Sequence, residues 1–374
     1  MIYFDNAATS YPKPRSVISA HAKALSEYGG NPGRSGHRLS LKAAEMVYDC
    51  RCRIAEFFGC NAPEHVIFTA SATAALNLAI NRRIVPGMHI LMSDREHNAV
   101  ARPIFSLARR GVITYSTYPC SGNVVDAIRA KITKSTGLVI ACHTSNVTGR
   151  TLPFDAIATL CSTHNIPLIV DAAQSAGHRR IDLTATPCDA LCFPAHKGLL
   201  GAAGLGVAIF ADPSGEPLIL GGSGLDSLRE DMPDTLPERF EAGTLPCPAI
   251  AALRAGIDHV CEVGVDEIGA HEEHLHALLC EGLSSINGIR LYEPDCKGSV
   301  ISFTHRKLLP EQIAAELDSH GICTRAGYHC APLAHHAIGT PPGGCVRIST
   351  SLANTPHEVK RCLYSLNKLL SSPS

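Results

Sequence analysis

Between Val66 and Val170 the apolar positions fall into short runs, each followed by a longer segment with helical spacing. Val66-Ile-Phe-Thr69 precedes a helical pattern over 72–82, and His89-Ile-Leu-Met92 precedes one over 100–110. Val112-Ile-Thr-Tyr115 and Leu138-Val-Ile-Ala141 are followed by patterns near 124–132 and 154–164, and Pro167-Leu-Ile-Val170 closes the series. This alternation predicts a mostly parallel sheet covered by helices on both faces. Ligands of such sheets sit outside the carboxyl ends of the strands, where Thr69, Ser145-Asn146 and Asp171 fall.

The pattern then changes. Residues 212–248 are rich in proline and glycine and read as a long functional loop rather than a linker. Helical patterns over 249–263 and 265–284 follow, then two short strands (289–292 and 299–303), a helix over 311–320 and a terminal helix over 357–369. The expected organisation is α/β. A large domain would span 14–255, and a smaller α+β domain would combine 1–13 with 256–374.

Composition narrows the classes. In 374 residues, 45% are hydrophobic and 18% charged, with a formal net charge of −1, as in an ordinary globular enzyme. No basic field invites nucleic acid or anionic membranes. The first residues lack the pattern of a secretion signal and no apolar run reaches membrane-spanning length, so a cytoplasmic location is expected. Sixteen cysteines without a C-x-x-C pair suggest neither a disulfide framework nor a zinc site. His271-Glu-Glu-His274-Leu-His276 imitates a zinc motif but places Leu275 where the second histidine belongs, and reads as the wet face of a helix.

Chemistry concentrates between Asp171-Ala-Ala-Gln174 and His196-Lys197. An acid ending a buried strand and a lysine among small and apolar residues suit pyridoxal 5'-phosphate, which needs a lysine amine and a carboxylate for its ring nitrogen. Poor solvation favours the neutral, nucleophilic amine. Asp171 could equally cap the next helix. Thr69-Ala-Ser-Ala-Thr73 follows a strand and opens a helix, as a phosphate-binding turn does. The glycines after Lys197 do not open a strand–turn–helix unit, which excludes a dinucleotide fingerprint.

Taken together, the chain resembles the class V aminotransferase family of pyridoxal phosphate enzymes (fold type I), and within it the cysteine desulfurase and selenocysteine lyase branch. The resemblance runs from Tyr3-Phe-Asp-Asn-Ala-Ala-Thr9 to Arg347-Ile-Ser349, and includes Glu96-His97-Asn98, Ser145-Asn-Val-Thr-Gly149, Glu241-Ala-Gly-Thr244 and Arg325-Ala-Gly-Tyr-His-Cys-Ala331. It implies that Lys197 carries the cofactor and moves protons, that Asp171 pairs with the ring nitrogen, that Gln174 meets the phenolic oxygen and that His97 stacks on the ring. It also implies phosphate contacts from Ala72, Thr73 and His196, with Thr244 reaching in from a second subunit of a homodimer with composite sites. Arg347 would grip the substrate carboxylate, and Asn146 and Arg325 would help to place the amino acid.

Cys330 would select the reaction, as the nucleophile that takes sulfur from L-cysteine (or selenium from L-selenocysteine) and leaves L-alanine. The persulfide would pass to a sulfur-acceptor protein, one route into iron–sulfur cluster assembly. A selenocysteine lyase, or a C–S lyase that releases sulfide or a persulfide from cysteine or cystine by β-elimination, is the alternative on the same fold. The chain departs from the family pattern at Ala74, Pro194, Leu245-Pro246 and Tyr328. Pro194 removes a hydroxyl usual in the phosphate site, which bears on cofactor affinity.

Overall fold

The computed structural model describes residues 1–33 and 35–371. The chain opens with strand β1 (Ile2–Tyr3) and helices α1 (Arg15–Glu27) and α2 (Arg38–Phe58). The alternation read from the sequence follows as β2 (Val66–Thr69), α3 (Ala72–Asn81), β3 (His89–Ser93), α4 (Asn98–Arg109), β4 (Thr114–Tyr118), α5 (Val124–Arg129), β5 (Thr136–Cys142), α6 (Phe154–Thr163) and β6 (Leu168–Asp171). Two further strands, β7 (Ala190–Pro194) and β8 (Gly206–Phe210), complete the sheet.

The seven strands lie in the order β2-β8-β7-β6-β5-β3-β4. All run parallel except β8, which is antiparallel to both neighbours. Alternate residues feed two cores. Leu91, Val139, Val170 and Leu191 point into one cluster, and Ile90, Ile140, Ile169 and Cys192 into the other. A strand packed on both faces has no polar side to show, which is why β7 and β8 are buried at every position and carry no polar alternation.

Between β8 and the next helix there is no helix or strand over 211–246, as the proline and glycine content suggests. Glu241 fastens the end of this loop: its carboxylate accepts from Phe68 N–H (2.5 Å) and pairs with Arg51 (2.5 Å). Then come α7 (Cys247–Val263), α8 (Val265–Ser284), β9 (Ile289–Tyr292), β10 (Val300–His305), α9 (Pro310–Ser319), β11 (Ile322–Cys323), β12 (Arg325–Gly327), α10 (Pro332–Ile338), β13 (Cys345–Ser349) and α11 (Pro356–Ser371). An antiparallel sheet β12-β13-β10-β9 packs on its own apolar cluster with α8, α9 and α11. The first strand joins this part, because β1 pairs in parallel with β11.

One sequence reading needs correction. The 271–276 segment of α8 is not a wet face: Glu272 and His276 are buried together with Leu275. Glu272 tolerates burial because its carboxylate bonds His178 Nδ1 at 2.8 Å.

Candidate active site

The carboxyl edge of the large sheet holds a cavity of about 240 Å³. Its lining brings together Ala72, Thr73, His97, Asn146, Asp171, Gln174, His196, Lys197, Arg325 and Arg347, residues drawn from positions far apart in the chain. The physical reason is local at each point. β6 ends at Asp171, β7 ends just before His196-Lys197, and β3 ends just before His97. In parallel neighbours these ends lie side by side: Asp171 is in register with Cys142 and with Cys192.

The turn from β2 into α3 meets β8 at close range. Thr69 pairs with Gly206, and a Cβ on Gly206 would lie 2.1 Å from the Ser71 carbonyl carbon. Only glycine allows β8 to pass here. Ser71 caps α3 by accepting from Ala74 N–H (3.2 Å), and the N–H groups of the first turn face the cavity end of the helix. The Lys197 segment is packed as tightly. A Cβ on Gly198 would lie 2.3 Å from the Ala176 carbonyl oxygen.

Burial sets the protonation of the site. It lowers the Lys197 amine to about 8, against the opposing pull of Asp171. It raises the Asp171 carboxyl above its ordinary value, although the Ala173 N–H (2.9 Å from Oδ1) and Lys197 hold it down. His97 caps α4: its Nδ1 accepts from Ala99 N–H at 3.0 Å, so the neutral ring carries its proton on Nε2. Burial, Lys197 and Arg325 together lower this imidazole to about 4. His196 is lowered to about 4 for the same first reason. The cavity thus combines a readily deprotonated lysine, a carboxylate and two neutral histidines.

Several polar atoms here are buried without a partner among the described residues: His196 Nδ1, Asn146 Oδ1 and Arg347 Nε. Such orphans are costly unless a ligand satisfies them. They lie among a helix N-terminus, a carboxylate and an amine, a set that suits a phosphorylated, cationic ring with an amino-acid carboxylate beside it. Pyridoxal phosphate fits the residues present.

Arg347 is almost wholly buried and already engaged. Its Nη2 donates to Asp5 Oδ1 (2.6 Å) and its Nη1 to the Asn146 carbonyl (3.0 Å). Gln174 Nε2 donates to the Ala7 carbonyl at 2.9 Å.

Two expected residues stand apart from this cavity. Thr244 is exposed and accepts from Asn31 Nδ2 (3.2 Å); it lines a separate groove with Thr69, Ala74 and Ile219. Cys330 is exposed and directly follows His329, which does line the cavity. His329 and Cys330 both adopt left-handed backbone, φ 50° and 55°, at a cost of about 1–3 kcal/mol each. Asn146 Nδ2 to the His329 carbonyl and Asn98 N–H to the Cys330 carbonyl, both 2.8 Å, hold them there.

Residue-by-residue reading missed Ala7, Ala8, Thr144 and His329 as lining residues. The signal for Ala7 and Ala8 was present in the Asp5-Asn-Ala-Ala run, but small residues carry no chemistry that marks them.

Comparison with known proteins places this geometry. The class-V aminotransferase model matches residues 2–362. A probable cysteine desulfurase of Methanothermobacter thermautotrophicus is 34% identical over 374 aligned residues, 96% of this chain and 92% of that protein. One of Halalkalibacterium halodurans is 31% identical, over 98% of this chain and 93% of the other. The solved structure of a cysteine desulfurase from Thermococcus onnurineus NA1 superimposes with a TM-score of 0.90 at 30% identity, covering 99% of this chain and 94% of that one. With the sheet order, the carboxyl-edge cavity and matches along nearly the whole length, the chain belongs to the class-V aminotransferase family.

Proposed function

We propose that this protein is a pyridoxal phosphate-dependent cysteine desulfurase, converting L-cysteine to L-alanine with the sulfur kept as a persulfide on Cys330. The observation that carries the reading is the pairing of a buried Lys197–Asp171 site with an exposed thiol on a constrained turn that directly follows the lining residue His329. The names of the relatives support the same activity.

The bound cofactor supplies an electron sink that makes the substrate α-proton removable. Asp171, at the end of β6, holds the ring nitrogen's proton. Lys197 would hold the cofactor and, with its amine lowered to about 8 by burial, would take the α-proton and return protons to the product. His97 would present an uncharged face to the ring, and the α3 N-terminus with Thr73 and His196 would hold the phosphate. Arg347 and Arg325 receive the carboxylate. Asp5 and the Asn146 carbonyl fix the Arg347 fork before substrate arrives. The Cys330 thiolate attacks the substrate sulfur: an S–S bond forms as the Cβ–S bond breaks, and the electron pair passes to the substrate carbon. Protonation of that carbon completes alanine.

The same proposal includes a homodimer. Thr244 is exposed and outside its own chain's cavity, and Leu218, Ile219, Leu220, Leu225 and Leu228 are exposed in the same loop, as surface awaiting a second copy would be. It also divides the chain into units 14–255 and 1–13 with 256–374, and passes the persulfide to an acceptor protein.

Product analysis tests the reaction. Native protein given cysteine should yield alanine, and Cys330→Ala should yield none above background. Undiminished alanine from the variant would remove Cys330 from the mechanism. Pyruvate and ammonia in place of alanine would assign β-elimination instead.

A further inference from the structure

The turn that carries Cys330 is held by a chain of hydrogen bonds whose proton directions can be worked out. His329 Nε2 lies 3.2 Å from the Arg325 carbonyl, which can only accept, so Nε2 bears the proton and Nδ1 of the neutral ring is an acceptor. His335 Nε2, 3.2 Å from that Nδ1, must then donate. His335 Nδ1 is left as an acceptor for the Thr340 hydroxyl at 3.0 Å, a shorter contact than that hydroxyl's other acceptor, the His335 carbonyl at 3.4 Å. Each proton points one way, from Thr340 through His335 and His329 to the backbone of β12, where Arg325 begins the strand. The two imidazoles are nearly parallel (17°) with ring centroids 5.4 Å apart, as an in-line N–H···N bond allows, and both are buried.

His329, His335 and Cys345 also bring possible ligand atoms within 4.8 Å of one another. The hydrogen-bond chain uses the lone pairs of both histidines that a metal would need, so the cluster is accounted for without an ion.

We propose that His335 is a positioning residue for sulfur transfer: it locks the His329 ring against the cavity and thereby keeps the left-handed His329–Cys330 turn in the shape that presents the thiol. The inference rests on the desulfurase reading. Neutral imidazoles are what the chain requires, and the setting provides them. Burial and Arg347 lower His329 to about 2 and His335 to about 4. A proton on His329 would face the guanidinium groups of Arg347 and Arg325, and one on His335 that of Arg347.

The experiment separates two half-reactions in the cofactor-loaded protein, exchange of the substrate α-proton with deuterated solvent and formation of the Cys330 persulfide. His335→Ala should slow persulfide formation roughly 10-fold or more, the size of effect that misplacing a reacting group produces, while α-proton exchange stays within about twofold. His335→Gln, whose amide can still donate to His329 Nδ1, should recover part of the loss. Thr340→Val should show a smaller loss of the same kind. Amide exchange should also quicken at Asn98 and Ala331 in His335→Ala, with or without cofactor, because their N–H groups close on the turn. Equal losses in both half-reactions, or no loss in any variant, would overturn the proposal, as would unchanged exchange at those two amides. If native protein forms no persulfide while still exchanging the α-proton, it is the desulfurase reading that fails.

Discussion

Asp171 and Lys197 stand at the ends of two strands buried on both faces, whereas Cys330 stands on an exposed turn with φ 55° at the edge of the antiparallel sheet. The first region is made rigid by its position inside the sheet. The second is made rigid by directed hydrogen bonds from Asn146, Asn98 and His335. The difference follows from the two tasks. Proton transfer at the α-carbon gains from a dry site that lowers the lysine amine. A thiol that receives sulfur and hands it on must remain reachable.

If the comparison holds, damage to the Lys197–Asp171 floor of the cavity should stop everything and damage to the Cys330 turn only the sulfur step. Lys197→Ala should have the largest effect, lowering both α-proton exchange and alanine formation by roughly 10²–10⁴-fold. Borohydride reduction followed by peptide mass analysis should find the cofactor attached to the Lys197 peptide in native protein and nowhere in the variant. Retention of α-proton exchange in Lys197→Ala would show that the floor does not act as described.

Arg347→Lys comes next. It keeps the charge and loses the fork, one charge-assisted bond of about 1.5–3 kcal/mol, so KM for cysteine should rise about 10- to 100-fold. Asp5→Asn, which loosens the Arg347 fork from one side, should raise KM less. An unchanged KM in Arg347→Lys would mean that the carboxylate is held elsewhere.

The smallest effect concerns stability. Glu96 is wholly buried, accepts from Ser93 Oγ (2.6 Å) and Cys142 N–H (2.7 Å), and is pushed up to about 8 by burial. Its folded-state value lies above its unfolded one, so its contribution is complete at pH below about 4.5 and is lost as pH rises through about 8. In cofactor-free protein, Glu96→Gln should therefore flatten the fall in Tm across this window. A native Tm that does not decline relative to the variant would show that Glu96 is ionised in the fold.

The two regions also differed in how far the sequence revealed them. Asp171 was legible because an acid directly follows an apolar run, and Lys197 because it sits among small and apolar residues with glycines after it. The strands on either side of Lys197 were not: β7 and β8 are buried on both faces, so they lack the alternation by which a half-buried strand is recognised. Cys330 was singled out only by the motif around it, since its exposure and left-handed backbone come from tertiary contacts. The role of His335 had no local signal at all. Its partners, His329 and Thr340, are near in sequence, but proton directions depend on which atoms face a carbonyl. The same limit applied to the 271–276 segment, where His178, remote in the chain, allows Glu272 to be buried.

The account rests on sulfur residing on one thiol among sixteen. The most direct test is a single turnover with L-cysteine in the absence of reductant, followed by alkylation, proteolysis and mass analysis of every cysteine-containing peptide. The account predicts one added sulfur atom on the Cys330 peptide, in proportion to the alanine formed. Alanine accompanied by an unmodified Cys330 peptide, or by sulfur on another cysteine, would contradict it.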